Sequence, residues 1–127
     1  MQTTSRAYAD AVVVVPQGRI DHASAVEFER EVAPLLDASA DAGVGLVFDF
    51  THVPYISSAG LRVLMIAAKS MRARHARAAL AGAQPVVAQI LGISRFDAVV
   101  EIFPSVPAAL QALSSAAAHA YDEASRT

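Results

Sequence analysis

The chain is predicted to fold as one α/β domain, a mixed β-sheet with helices on one or both faces. Two observations carry this. Short apolar runs at 12–15 and 46–50 alternate with segments whose apolar residues recur at helical spacing. A length of 127 residues suits one ordinary hydrophobic core and is too short for two. The domain is therefore expected to occupy 1–127, with a core over about 3–121 and a polar, frayed tail over 122–127.

In chain order, residues 3–9 alternate weakly and predict an edge strand, with a turn at Asp10-Ala11. Val12, Val13, Val14 and Val15 favour a strand buried on both faces, because β-branched side chains suit the pleated surface. Pro16 is expected to interrupt the run, with a bent continuation through Gly18-Arg19-Ile20 leaving the sheet at Asp21. Asp21 or Ser24 then starts a helix, Glu27 standing three after Ser24 as a capping-box partner. Ala25, Phe28, Val32, Leu35 and Leu36 form one apolar stripe. Pro34 within it predicts a kink rather than an end, since Leu35 and Leu36 keep the phase.

Gly43 closes that helix, and 46–50 reads as a second buried strand. Residues 51–58 form the loop at its carboxyl end, the side of such sheets where binding sites gather. The next helix starts at Ser57 or Ser58 and is expected to run to about His75. Its predicted packed face is Leu61, Leu64, Met65 and Ala68, and its cationic end is Lys69, Arg72, Arg74 and His75. A short strand at 78–81, a helix at 85–91 stopped by Gly92, a strand at 99–103 and one Ala-rich helix at 107–121 complete the chain.

Composition removes several classes of function. Hydrophobic content is 54% against 17% charge, yet no apolar run reaches the roughly 18 residues of a membrane helix, and residues 1–6 contain no apolar segment of signal-peptide type. Absence of Cys excludes disulfides, thiol catalysis and thiolate metal sites, and fits a cytoplasmic protein. A net charge of −2 argues against direct nucleic-acid binding. No nucleophile elbow, Walker-type loop or dinucleotide fingerprint occurs. Ser58, His22 and Asp49 or Asp21 can be written down as a hydrolase triad, but nothing in their spacing requires it. His22, His52, His75 and His119 show no metal-ligand spacing, so no metal and no cofactor are expected.

The serines at the start of the central helix remain. One reading is purely structural, with Ser57 or Ser58 as the helix N-cap. The other is a phosphorylation site. A phosphoryl group at a helix N-terminus meets free N–H groups and the positive dipole end, so the fold tolerates it. A partner docked over the same spot would be repelled, which makes a switch acting on binding alone.

Gly18-Arg19-Ile20-Asp21-His22, Val47-Phe48-Asp49-Phe50 and above all Tyr55-Ile56-Ser57-Ser58-Ala59-Gly60-Leu61 resemble the STAS-domain family, the anti-sigma factor antagonists of bacteria, with a weaker match over 85–96. The resemblance spans nearly the whole chain. It implies a four- to five-stranded mixed sheet with about four helices packed mainly on one face. It also implies a non-enzymatic, cytoplasmic regulator of transcription that works by partner switching. Such an antagonist binds an anti-sigma factor that is also a serine kinase, is released when that kinase phosphorylates it, and is restored by a phosphatase. Laid on the family's Asp-Ser-Ser/Thr-Gly motif, Ser58 is the phosphoacceptor, Ser57 stands where Asp is usual, and Ala59 precedes Gly60. Asp21, His22 and Arg62 are assigned with Ser57, Ala59 and Gly60 to the motif and partner contact. The Ser57-for-Asp departure motivates an alternative, a phosphorylation-independent STAS scaffold or accessory subunit of a signalling or transport assembly. The basic run Lys69, Arg72, Arg74 and Arg77 reads as a solvated helix end, or else as a lure for an acidic partner.

Overall fold

The computed structural model describes residues 1–126. Five strands, β1 (Gln2–Tyr8), β2 (Ala11–Gln17), β3 (Gly45–Asp49), β4 (Ala78–Ala81) and β5 (Glu101–Phe103), lie side by side in sequence order. β1 runs antiparallel to β2, and every later pair is parallel. The crossovers are α1 (His22–Ala42), α2 (Ser58–Ala73) and α3 (Pro85–Ile93), the last followed by a 3₁₀ turn at Phe96–Ala98. Each right-handed crossover steps one strand in the same direction, which sends all three helices to one face of the sheet. The opposite face is left to α4 (Val106–Leu113) and α5 (Ser115–Ser125). Among the described residues, no helix is long and apolar enough to cross a membrane.

Strand alternation divides the core accordingly. Val14, Leu46, Phe48 and Leu80 point towards α1, α2 and α3, where Phe28 meets Phe48 edge-on at 6.3 Å. Ala11, Val13, Val47, Ala79 and Ala81 point the other way, onto Val106, Ala109, Leu110 and Ala117. The small side chains of β4 let α4 lie close to the sheet. An Ala-rich segment of weak strand propensity is thus held in place by packing on both sides.

Several boundaries differ from expectation. Pro16 does not interrupt β2: it pairs with Thr3 of β1, and it lies beyond Val14, the last residue paired with β3, so no donor is missed there. The N-cap of α1 is Asp21, whose carboxylate accepts the Ser24 N–H while Ser24 Oγ accepts the Asp21 N–H. The expected Ser24–Glu27 box does not form, and Glu27 instead holds the amino group of Met1. As expected, helix α1 continues through Pro34, which lies on its exposed side. Gly43 ends it in the left-handed conformation (φ 71°).

The buried stripe of α2 is Gly60, Val63, Leu64, Ala67, Ala68 and Met71, with Leu61 and Met65 on its flank. Helix α2 ends at Ala73, and His75 turns the chain at φ 59°. Gly92 lies within α3, which runs on to Ile93. The last strand shrinks to three residues because the Val99 and Val100 N–H groups donate back to Phe96 O at the 3₁₀ turn. The single C-terminal helix is two: Ser114 is extended (φ −164°, ψ 120°), and its hydroxyl accepts the Ala117 N–H as the N-cap of α5. That break is why there are five helices rather than about four. Helix α5 continues past Tyr121 to Ser125, so the tail expected to fray is largely helical, while Thr127 lies outside the described residues.

Candidate functional site

The two segments flanking the sheet's carboxyl edge, 18–22 and 52–58, are stitched together by backbone. Gly18 N–H donates to His52 O (3.0 Å), Ile20 N–H to Tyr55 O (2.9 Å) and Ser57 N–H to Ile20 O (2.8 Å). Ile20 and Ile56 form an isolated parallel bridge, and both are essentially inaccessible to solvent. Arg19 closes the outside of the seam by stacking over the Tyr55 ring, 4.6 Å from its centroid. One residue beyond the bridge on each chain segment stands a helix cap, Asp21 for α1 and Ser57 for α2. His22 and Ser58 are therefore both first residues of their helices, set side by side.

Ser57 is extended (φ −86°, ψ 172°), and its Oγ accepts the Gly60 N–H at 3.2 Å. Ser58 is spared from capping and is exposed. Gly60 is required by close approach. A Cβ there would stand 2.7 Å from Ile20 Cγ2 and 2.8 Å from Ile56 Cγ1, inside the bridge that aligns the two helices. The Asp21 carboxylate is held below the ordinary aspartate range by the Ser24 N–H and hydroxyl, with a smaller contribution from Arg19.

Between α1 and α2 runs an open groove of 630 Å³ that takes in His22, Val26, Glu29, Ser58, Ala59, Arg62, Val63 and Ile66. It continues along the helices into a hollow of 170 Å³ over Val32, Leu36, Ala67 and Ser70. Val26 and Ile66 stand on its rim 61% and 55% exposed, which gives the groove an apolar wall open to solvent. Of the residues singled out from sequence, His22, Ser58, Ala59 and Arg62 come together here, while Asp21, Ser57 and Gly60 build the frame beneath. Val26, Glu29 and Ile66 escaped sequence reading. For Val26 and Ile66 the signal was an apolar residue off the buried stripe of each helix, α1 and α2; Glu29 carried none.

The other candidates separate. The Asp49 carboxylate accepts the Thr51 N–H and hydroxyl and borders a different hollow with His52 and Tyr121, and the Asp21 carboxylate accepts the Ser24 N–H, so both aspartates considered for a triad with His22 and Ser58 are engaged elsewhere. In the basic run, Arg74 pairs with Asp37 and Asp41 of α1, and Arg77 grips Glu101 through two nitrogens. These arginines tie elements of the fold together and are not held open for a partner. Among the described residues, no group of three or more acidic or His side chains could hold a metal ion.

The site thus consists of an exposed serine at the start of α2 beside a groove with an apolar wall. The chain belongs to the STAS domain family, whose model matches residues 2–109. BtrV of Bordetella bronchiseptica, which bears the name of anti-sigma factor antagonist, is 33% identical over 100 residues, covering 79% of this chain and 84% of that protein. The crystal structure of an anti-sigma factor antagonist from Thermotoga maritima superposes with a TM-score of 0.79 at 20% identity, over 87% of this chain and 93% of that one. The phosphorylated form of the Bacillus cell-fate determinant SpoIIAA gives 0.67 at 13% identity, over 89% and 100%. The two structural likenesses bear on the fold alone.

Proposed function

We propose that this protein is an anti-sigma factor antagonist that binds an anti-sigma factor with serine kinase activity and is switched off by phosphorylation of Ser58. The observation that carries the reading is the division of labour between the two serines. Ser57 caps α2, so the Ser58 hydroxyl is free to be modified without cost to the helix. Ser57 in place of the motif's usual Asp is no obstacle to this, because Ser and Asp are comparable N-caps and Ser57 does the capping. Phosphorylation forms a bond from Ser58 Oγ to the γ-phosphorus of ATP and breaks the β–γ bridge; ADP leaves and the hydroxyl proton passes to a base of the kinase. The product places a dianion at the mouth of the groove bounded by Val26 and Ile66, where a docked partner would have to desolvate it.

The test is a pull-down of the cognate anti-sigma factor with wild type, Ser58→Ala and Ser58→Asp, alongside incubation with that kinase and ATP and mapping of the label. Ser58→Ala should bind and resist labelling; Ser58→Asp should bind at least tenfold more weakly, about 1.4 kcal/mol. Equal binding by all three variants would favour the phosphorylation-independent scaffold instead. Label on another residue would remove Ser58 from the acceptor role.

A further inference from the structure

We infer that a phosphoryl group on Ser58 is gripped within its own chain by Arg62, with the His22 imidazole as a second hydrogen-bond donor across the groove. Phosphorylation then also withdraws the groove's positive charge from any partner. The inference rests on Ser58 as acceptor and deepens that reading. Ser58 and Arg62 are four apart on α2 and border the same groove. Residues at that spacing are neighbours on one helix face, and an acid N-terminal to a base is the favourable order. Helical side chains lean towards the N-terminus, the direction in which Ser58 lies from Arg62.

Arg62 is exposed and has no carboxylate partner among the described residues, whereas Arg74 and Arg77 are both paired. His22, the first residue of α1, faces the same space from the other side. The opposing charges are few. Glu29 lies further along the groove, and Asp21 turns its carboxylate to Ser24. The nearby Arg19 is occupied with Tyr55. Cations next to a phosphate favour its dianion, so its second ionisation should move down from the ordinary value near about 6.

The test installs phosphoserine at position 58 during translation and follows its ³¹P shift against pH, in the folded chain and in urea. The outcome does not depend on any kinase: failure of the kinase to label Ser58 would count against the proposed function, whereas the titration reads the Arg62 contact alone. The folded chain should ionise lower than the unfolded one by roughly half a unit. Arg62→Gln should abolish most of that difference and His22→Gln a smaller part, while Arg72→Gln, at the far end of the helix, should leave it intact. Equal values in folded and unfolded chains, or a shift that survives Arg62→Gln, would overturn the assignment.

Discussion

Replacing Ser57 by Ala removes the one side-chain acceptor for the Gly60 N–H, a donor in the first turn of α2 that no carbonyl of the helix can reach. Gly60 is buried against Ile20 and Ile56, so water replaces the lost acceptor poorly. The bond is long at 3.2 Å, which points to the middle of the range for cap deletions rather than its top. The expected cost is about 1 kcal/mol, or about fivefold in the unfolding constant. For a domain of this size that is a fall in Tm of about 4 °C. Ser57→Asp should stay within about 0.5 kcal/mol of wild type, because a carboxylate caps as well as a hydroxyl and faces the positive end of the helix dipole. Ser58→Ala, which touches no cap, should be nearly neutral. Urea unfolding followed by circular dichroism measures all three. A destabilising Ser58→Ala together with a neutral Ser57→Ala would refute the division of labour on which the functional proposal stands.

Two further outcomes follow from the frame of the site. Gly60→Ala drives a methyl into the Ile20–Ile56 bridge and should cost about 1–3 kcal/mol by urea titration; a neutral result would mean that the helix start can slide away from the bridge. Asp21 has a folded-state pKa depressed by its bonds to Ser24, so its ionised form contributes stability above its unfolded value near about 3.9, and that contribution is lost as pH falls through the lower folded value. The stability of wild type relative to Asp21→Asn, which keeps the cap but not the charge, should therefore decline as the pH is lowered from 5 towards about 2. A gap that stays constant across that window would show that the carboxylate is not held in its charged form.

Much of the fold was legible because its signals are local. The Val12–Val15 run, the Phe28–Leu36 stripe and the Ser57-Ser58-Ala59-Gly60 start each imply their element through side-chain shape and helical period. Where reading failed, a distant contact had prevailed. Ser24 pairs with Asp21 rather than Glu27, because Glu27 is drawn to the amino group of Met1. The Ala-rich C-terminal segment carries good helix formers throughout, so nothing in its propensity announces a break. Ser114 turns there to cap α5, and its hydroxyl also reaches Asp10 across the domain.

The candidate site divides in the same way. The sequence by itself pointed to a helix starting at Ser57 or Ser58, since capping and helical period depend on residues within about four positions of one another. Only the tertiary structure decided that Ser57 rather than Ser58 does the capping, and that His22 stands beside Ser58. It also decided that Val26 and Ile66, idle by the pattern of their own helices, form the walls of one groove. The reason is the Ile20–Ile56 bridge. It joins two segments some thirty-five residues apart through backbone bonds that no side-chain pattern encodes, and it leaves room between the helices only because Gly60 has no side chain.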